Sequence, residues 1–386
     1  MALPADRNSG AGPVRARFVR KGHRACARLA LLSGTALVGA AFSVALAPTP
    51  AFACSPEPCT WSGAGGNGLW SNPGNWSAGG PPGTGDSFVL TNSGSAPSTN
   101  DNNVAGTGYN SVTLNPNAAG YTVDITAASG LRLQSGGSFT DNNTLHADTF
   151  TGAGGIALSG PVTVTTAAGA SLTFQTVVSD NGASGSLIKA GAGTLTLTGT
   201  NTYSGGTHIN GGTLAVDTDF ALGASGTRIT FDGGTLAFIG GPTGGINRPI
   251  TLNSGGGTID TSLGNPTTFV GNIDGSGSLT KIGTGTLELF GNNTYSGATN
   301  INAGTLSVGF DTGLPSTTAV TVNSGATLSI ADNVRATIGS LAGGGSVVIG
   351  PSAPGTTLAV GDSGASTTFS GAITGAGSLL WTVAAH

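Results

Sequence analysis

Downstream of residue 53 the chain is punctuated by short runs in which apolar and polar residues alternate one for one, each run ending in glycine or asparagine. Leu195 and Leu197 alternate with Thr194, Thr196 and Thr198. Leu287 and Leu289 alternate with Thr286, Glu288 and Phe290. A period of two places the leucines on one face of a strand and the threonines on the other. Thr213 to Val216 and Thr305 to Val308 read as further short strands, each entered through a tight turn at Gly211-Gly212 or Ala303-Gly304. No apolar stripe of helical period follows residue 53. These strands are too short to stand alone as hairpins, so each needs a neighbour to cover its leucine face.

Self-similarity supplies that neighbour. Gly185 to Val216 recurs as Gly277 to Val308, at an offset of 277 − 185 = 92 residues, with 22 of 32 positions identical. A third copy opens at Gly377-Ser378-Leu379. Repetition at fixed spacing marks a stacked architecture. The expected fold is all-β, a right-handed parallel β-helix with about 4.8 Å of rise per coil. Its inward ladder is Leu195, Leu197, Leu214 and Val216 in one copy, and Leu287, Leu289, Leu306 and Val308 in the other. Composition agrees, with 69 glycines among 386 residues serving turns. Their spacing is not the strict every-third pattern of collagen.

The pattern GxGTLTLTGxNTYSGGTxINxGTLxV, read from these two copies, resembles the autotransporter-associated β-strand repeat. That repeat is found in passenger domains of Gram-negative type V secretion proteins. The resemblance implies a β-helical passenger and an export route; it implies no activity, because such repeats form the stalk. Weaker echoes, such as Val320 to Leu328, extend it over most of residues 150 to 380.

The leading 53 residues have the layout of an extended Sec-type signal peptide. A basic stretch from Arg15 to Arg28 precedes an apolar stretch, Leu29 to Ala47, and Ala51-Phe52-Ala53 is a small-x-small cleavage signal. Cleavage after Ala53 leaves Cys54 at the mature terminus. Two outcomes are open there: a Cys54–Cys59 disulfide, which an oxidising exported compartment favours, or lipidation of Cys54, for which Ala51 and Phe52 make a poor recognition sequence. The leader holds seven of the 13 basic residues and one of the 17 acids, so the remaining 333 carry 6 − 16 = −10. That sparse negative charge disfavours nucleic acid and anionic lipid as partners.

Residues 54–90 hold three of the four tryptophans, Trp61, Trp70 and Trp76, followed by the turn Pro82 to Asp86. The spacing resembles the start of many such passengers. It reads as an N-terminal cap over open backbone groups, with sugar stacking on exposed rings as the alternative. Residues 91–184 read as diverged coils and 185–380 as repeat coils. The repeat breaks off in an aberrant terminus, 381–386, where Leu380-Trp381 replace the Thr280-Lys281 pattern. On this reading the translocator barrel of a complete autotransporter is expected to be missing from this chain.

The search for chemistry returns little. His146, His208 and His386 lack the spacing of a metal cluster, and His208 is expected in a turn or on the surface. Glu288 is expected on the outer face. Gly361-Asp362-Ser363-Gly364 matches a serine-protease nucleophile tetrad, without the histidine and carboxylate context that chemistry needs. Asp232, Asp260 and Asp274 fall in different coils. No catalytic, cofactor or metal residues are assigned, and no cofactor is expected. The chain reads as an exported, structural or adhesive stalk, not an enzyme. It would be handled by the Sec machinery and touch host or neighbouring-cell molecules. Its place would be the cell surface, outer membrane or exterior, or the periplasm if no translocator is supplied. The alternatives are a polysaccharide-active enzyme on the same scaffold, and a remnant of a longer gene.

Overall fold

A computed structural model describes residues 57–381, apart from 78–79, 92–98, 101–107, 117–119, 127–129, 241–244, 264–265 and 362–365. Ala53, Cys54 and the leader lie outside the described residues. Every paired strand is parallel to its neighbours, and the chain winds as a β-solenoid. No α-helix occurs among the described residues; two short 3₁₀ turns do.

Each coil visits up to three faces in a fixed order. The first face stacks strands such as Pro161–Thr166, Ser186–Ala190, Thr207–Ile209, Ile229–Phe231, Ile250–Leu252 and Ile273–Gly275. The second, of twelve strands, includes Ser171–Phe174, Thr194–Leu197, Thr213–Val216, Thr235–Phe238, Gly257–Asp260, Leu279–Ile282 and Thr299–Ile301. The third runs from Thr267–Phe269 through Thr286–Leu289, Thr305–Val308, Thr327–Ile330 and Ser346–Ile349 to Ala372–Thr374. Three later strands, Arg335–Ile338, Thr357–Val360 and Ser378–Trp381, take the first face's turn in the chain order.

Alternation decides which side chains enter the core. Thr194–Leu197 and Thr286–Leu289 share one pattern, in which both leucines are buried and both polar residues lie on the outside. All eight ladder residues, Leu195, Leu197, Leu214, Val216, Leu287, Leu289, Leu306 and Val308, are fully buried. Register stacks like on like: Leu195 on Leu214, Leu214 on Leu236, Leu287 on Leu306, Leu306 on Leu328. Each buried leucine is worth about 1.5–3 kcal/mol. A glycine with positive φ closes the same turn in both copies. A Cβ at Gly212 would fall 2.4 Å from the Gly191 carbonyl, and one at Gly304 would fall 2.4 Å from that of Gly283.

The two copies do not occupy equivalent faces. Ser186–Ala190 and Thr194–Leu197 sit on the first and second faces, whereas Leu279–Ile282 and Thr286–Leu289 sit on the second and third. The column from Leu195 runs through Leu214, Leu236 and Ile259 to Lys281, the counterpart of Lys189. Four coils therefore span 281 − 195 = 86 residues, and the six residues from Lys189 to Leu195 complete the 92. The repeat period equals four coils and one face.

At the N-terminal end the core is aromatic. Trp61, Trp70 and Trp76 are buried; Trp76 meets Trp61, Trp70 and Phe88 edge to face, and Trp70 meets Phe88 in the same way, with centroids 4.9–6.1 Å apart. Trp76 Nε1 donates to the Trp70 carbonyl at 2.8 Å, and the buried Asn75 amide donates to the carbonyls of Asn67 and Leu69. All three rings are buried, so the sugar-stacking alternative, which needs exposed rings, is corrected. Phe139, Phe150 and Phe174 form a second edge-to-face cluster in the diverged coils.

Candidate functional site

The residues that the sequence singles out for chemistry are dispersed. His208 lies on strand Thr207–Ile209 and not in a turn, because its neighbours Thr207 and Ile209 point inward and leave it half-buried outside. Burial holds its imidazole below the ordinary value. Glu288 stands on the outer face and accepts from the Thr268 hydroxyl at 2.7 Å. Asp232 caps Gly255 and Asp260 caps Ser262. Asp274 pairs with Arg228 at 3.0 Å and with Thr251. Partial burial opposes its ionisation, but these two partners outweigh it and hold the carboxyl below the usual range. Among the described residues no three His, Cys, Asp or Glu converge as a metal site. Asp362-Ser363-Gly364 of the protease-like tetrad lie outside the described residues. Cys59 is buried and disulfide-bonded, and its partner lies outside them.

Several buried polar groups went unread in the sequence. Lys189 and Lys281 occupy inward positions of the ladder and are fully buried. Lys189 Nζ donates to the carbonyls of Ala190, Gly191 and Gly211 at 2.8, 2.9 and 3.1 Å. Lys281 Nζ repeats this with Ile282, Gly283 and Ala303 at 2.8, 2.8 and 3.1 Å. Each ammonium thus ties its own corner to that of the next coil. Burial pushes both down to about 8; at Lys281 the charge of Asp260 works the other way. Asn201 and Asn293 bridge coils in the same manner, and Tyr203 and Tyr295 each bond a threonine hydroxyl at 2.7 Å. A charged residue at an inward step of the alternation, present in both copies, was the available signal.

In the diverged coils, Asp141 and Asp148 are both buried. Burial drives Asp141 up to about 7; the Asn143 N–H opposes this, and repulsion from Asp148 adds to it. Burial raises Asp148 as well. The second carboxyl oxygen of each is buried without a hydrogen-bond partner.

The two corners that follow the repeats differ most. After the first copy, Arg248 reaches in from the following coil and is fully buried. Its Nε donates to Asp219 Oδ1 at 2.6 Å, Nη1 to Leu222 O, Ala224 O and Thr227 Oγ1, and Nη2 to Asp219 O and Gly223 O. After the second copy, Asp311 stands where Asp219 stands in the first. It accepts from the backbone N–H of Arg335 at 2.7 Å, and the Arg335 side chain is exposed. This corner opens into a groove of about 400 Å³ lined by Asn292, Asp311, Thr312, Ser316, Arg335 and Thr337, among others. Phe290 and Phe310, which are not among the lining residues, are 42% and 54% exposed.

Comparison with known proteins agrees with this architecture. Residues 187–216 and 279–308 match the Passenger-associated-transport-repeat. Over 123 residues the chain is 46% identical to the Adhesin BmaC autotransporter of Brucella suis biovar 1 (strain 1330), a match spanning 32% of this chain and 4% of that protein. No solved structure matches. Two passenger-associated transport repeats are thus wound into a parallel β-solenoid, in a chain that is similar over 123 residues to an autotransporter adhesin.

Proposed function

We propose that the chain is the exported stalk of a surface adhesin and acts by contact along its flank, without catalysis. The observation that carries this reading is a solenoid whose inward positions are mostly apolar and whose outward positions are mostly polar, in a chain akin to an adhesin. Carboxylate placement also supports a non-enzymatic role. Hydrolysis of a glycosidic bond uses two carboxylates facing a substrate. The paired acids, Asp141 and Asp148, are buried, and the open groove offers Asp311 alone among its lining acids.

On this reading residues 1–53 direct Sec export, cleavage falls between Ala53 and Cys54, and Cys54–Cys59 closes in the oxidising compartment. Residues 54–90 then cap the first coil, and type V secretion carries the stalk to the cell surface. Mass spectrometry of the exported chain would read the terminus and the disulfide directly. To test adhesion, bacteria displaying the chain on a heterologous translocator are compared with bacteria displaying the translocator alone. Retention on host or neighbouring cells, competed by purified chain, is expected. Equal retention of the two strains would remove the adhesive reading.

A further inference from the structure

In one diverged coil the corner between the first and second faces is built on acids. Strand Leu131–Asp141 ends in Asp141, strand Asp148–Thr151 begins with Asp148, and residues 142–147 turn between them. Both carboxyls are fully buried and within hydrogen-bonding reach of each other. Asn143, itself buried, joins them. Its backbone N–H donates to Asp141 Oδ1 at 2.8 Å, and its Nδ2 donates to Asp148 Oδ1 at 2.9 Å. The Tyr121 N–H donates to the same Asp148 oxygen at 2.8 Å. Oδ2 of each acid has no donor among the described residues.

We propose that residues 142–147 form a pH-sensitive clasp, held shut while one proton lies between the Asp141 and Asp148 carboxyls and released when both are ionised. A carboxyl taken out of water resists ionisation, and a second one beside it resists more. With one proton present, the O–H of one carboxyl donates to an oxygen of the other. When that proton leaves to water, two anions face each other in a closed corner, and separation relieves them. Asn143 is tied to both acids and also accepts from the Leu145 N–H at 3.3 Å, so the turn moves with them. In the next coil Thr166 and Leu172 stand in register with Asp141 and Asp148, so the clasp belongs to one coil.

The surroundings offer the pair no buried cation among the described residues. Leu114 and Thr166 flank Asp141 in register, and Leu172 follows Asp148. Strands Pro161–Thr166 and Ser171–Phe174 carry no titratable residue. Arg132 and Asp124 take outward steps of their strands. Tyr109 packs on Phe88, and the Tyr121 hydroxyl is turned to the carbonyls of Leu90 and Asn115. The charge that reaches Asp148 is that of His146, exposed on the turn, which favours ionisation. Burial first, with the Asp148 charge adding, lifts Asp141 from 3.8 to about 7 against the pull of the Asn143 N–H. The stabilisation is therefore whole below the ordinary aspartate value and lost as pH rises through about 7.

The test is hydrogen exchange, read by mass spectrometry on the purified whole chain at pH 5.5 and 8.5, with rates corrected by an unstructured peptide of the same sequence. Amides of residues 142–147 should lose about tenfold or more of their protection at the higher pH. Those of strand Thr327–Ile330 should keep theirs. Asp148→Asn should leave the turn protected at both pH values, because an amide does not ionise. If that variant fails to fold, carboxyl carbon NMR of the unaltered chain reads the pair directly, and one aspartate titrating near 7 is expected. Equal protection of the turn at the two pH values overturns the proposal. So does a loss of protection that persists in Asp148→Asn, or titration of every aspartate near the ordinary value. The clasp is a property of the shaft and stands or falls apart from adhesion.

Discussion

The corner after the first repeat copy and the corner after the second begin from matching residues and end in opposite states. One swallows an arginine whole, with six hydrogen bonds to a carboxylate, a hydroxyl and four carbonyls. The other leaves its arginine in water and opens a groove. The strands beside them are alike in pattern and burial. The difference teaches that the β-ladder sets the frame, while the loops between strands decide what each coil can do.

The comparison can be broken at several levels. The largest effect is expected where the copies agree. Leu197→Asp and Leu289→Asp each place a charge in a stacked apolar column and should each cost more than about 4 kcal/mol. Denaturant melts giving unequal losses would show that the two cores are not interchangeable. Thr196→Asp on the outer face should be mild by comparison.

The next effect is expected where the copies differ. Arg248→Met strands Asp219 and four carbonyls in a closed corner and should cost about 3–5 kcal/mol. Arg335→Met should cost under about 0.5 kcal/mol, because that side chain is already solvated. Equal losses in thermal melts would erase the distinction between a filled corner and an open one.

The effect least tied to the contrast between the copies is a pH response. The buried ammonium groups of Lys189 and Lys281 sit near 8, below the 10.5 of an unfolded lysine. In the window from about 8 to 10.5 the unfolded chain therefore binds more protons, and stability rises with pH. Below 8 the contribution is absent. The buried phenols of Tyr203 and Tyr295, which burial pushes up, oppose the rise only beyond the ordinary tyrosine value. Melting followed from pH 7.5 to 9.5 should climb in the unaltered chain and less steeply in Lys189→Met or Lys281→Met. A slope unchanged in the double variant would mean that the lysines keep an ordinary affinity for their protons.

Much of the frame was legible because alternation is a local signal. Leu195 and Leu197 between threonines can only line one face of a strand, and 22 identities at a fixed offset require stacking. The rotation of the second copy by one face was not legible. All faces carry the same leucine–threonine pattern, so nothing local tells one from another. Arg248 was invisible for a different reason: its partner Asp219 lies 29 residues earlier, one coil below, with no motif linking them. Lys189 and Lys281 stood in plain view at inward steps, but a lysine there makes sense only once the carbonyls of the turn close around it. The groove depends on what fails to fill it, and a sequence does not record that.

The third-of-a-turn slip between copies reaches beyond the interior. Four coils separate the copies by only about 19 Å along the axis, too little for two globular molecules to dock side by side on one flank. Because the second copy is turned toward a different azimuth, two ligands that each grip the same motif would approach from separate directions. A linear sequence with a simple period is in this way converted into a shaft that shows matching features around its circumference.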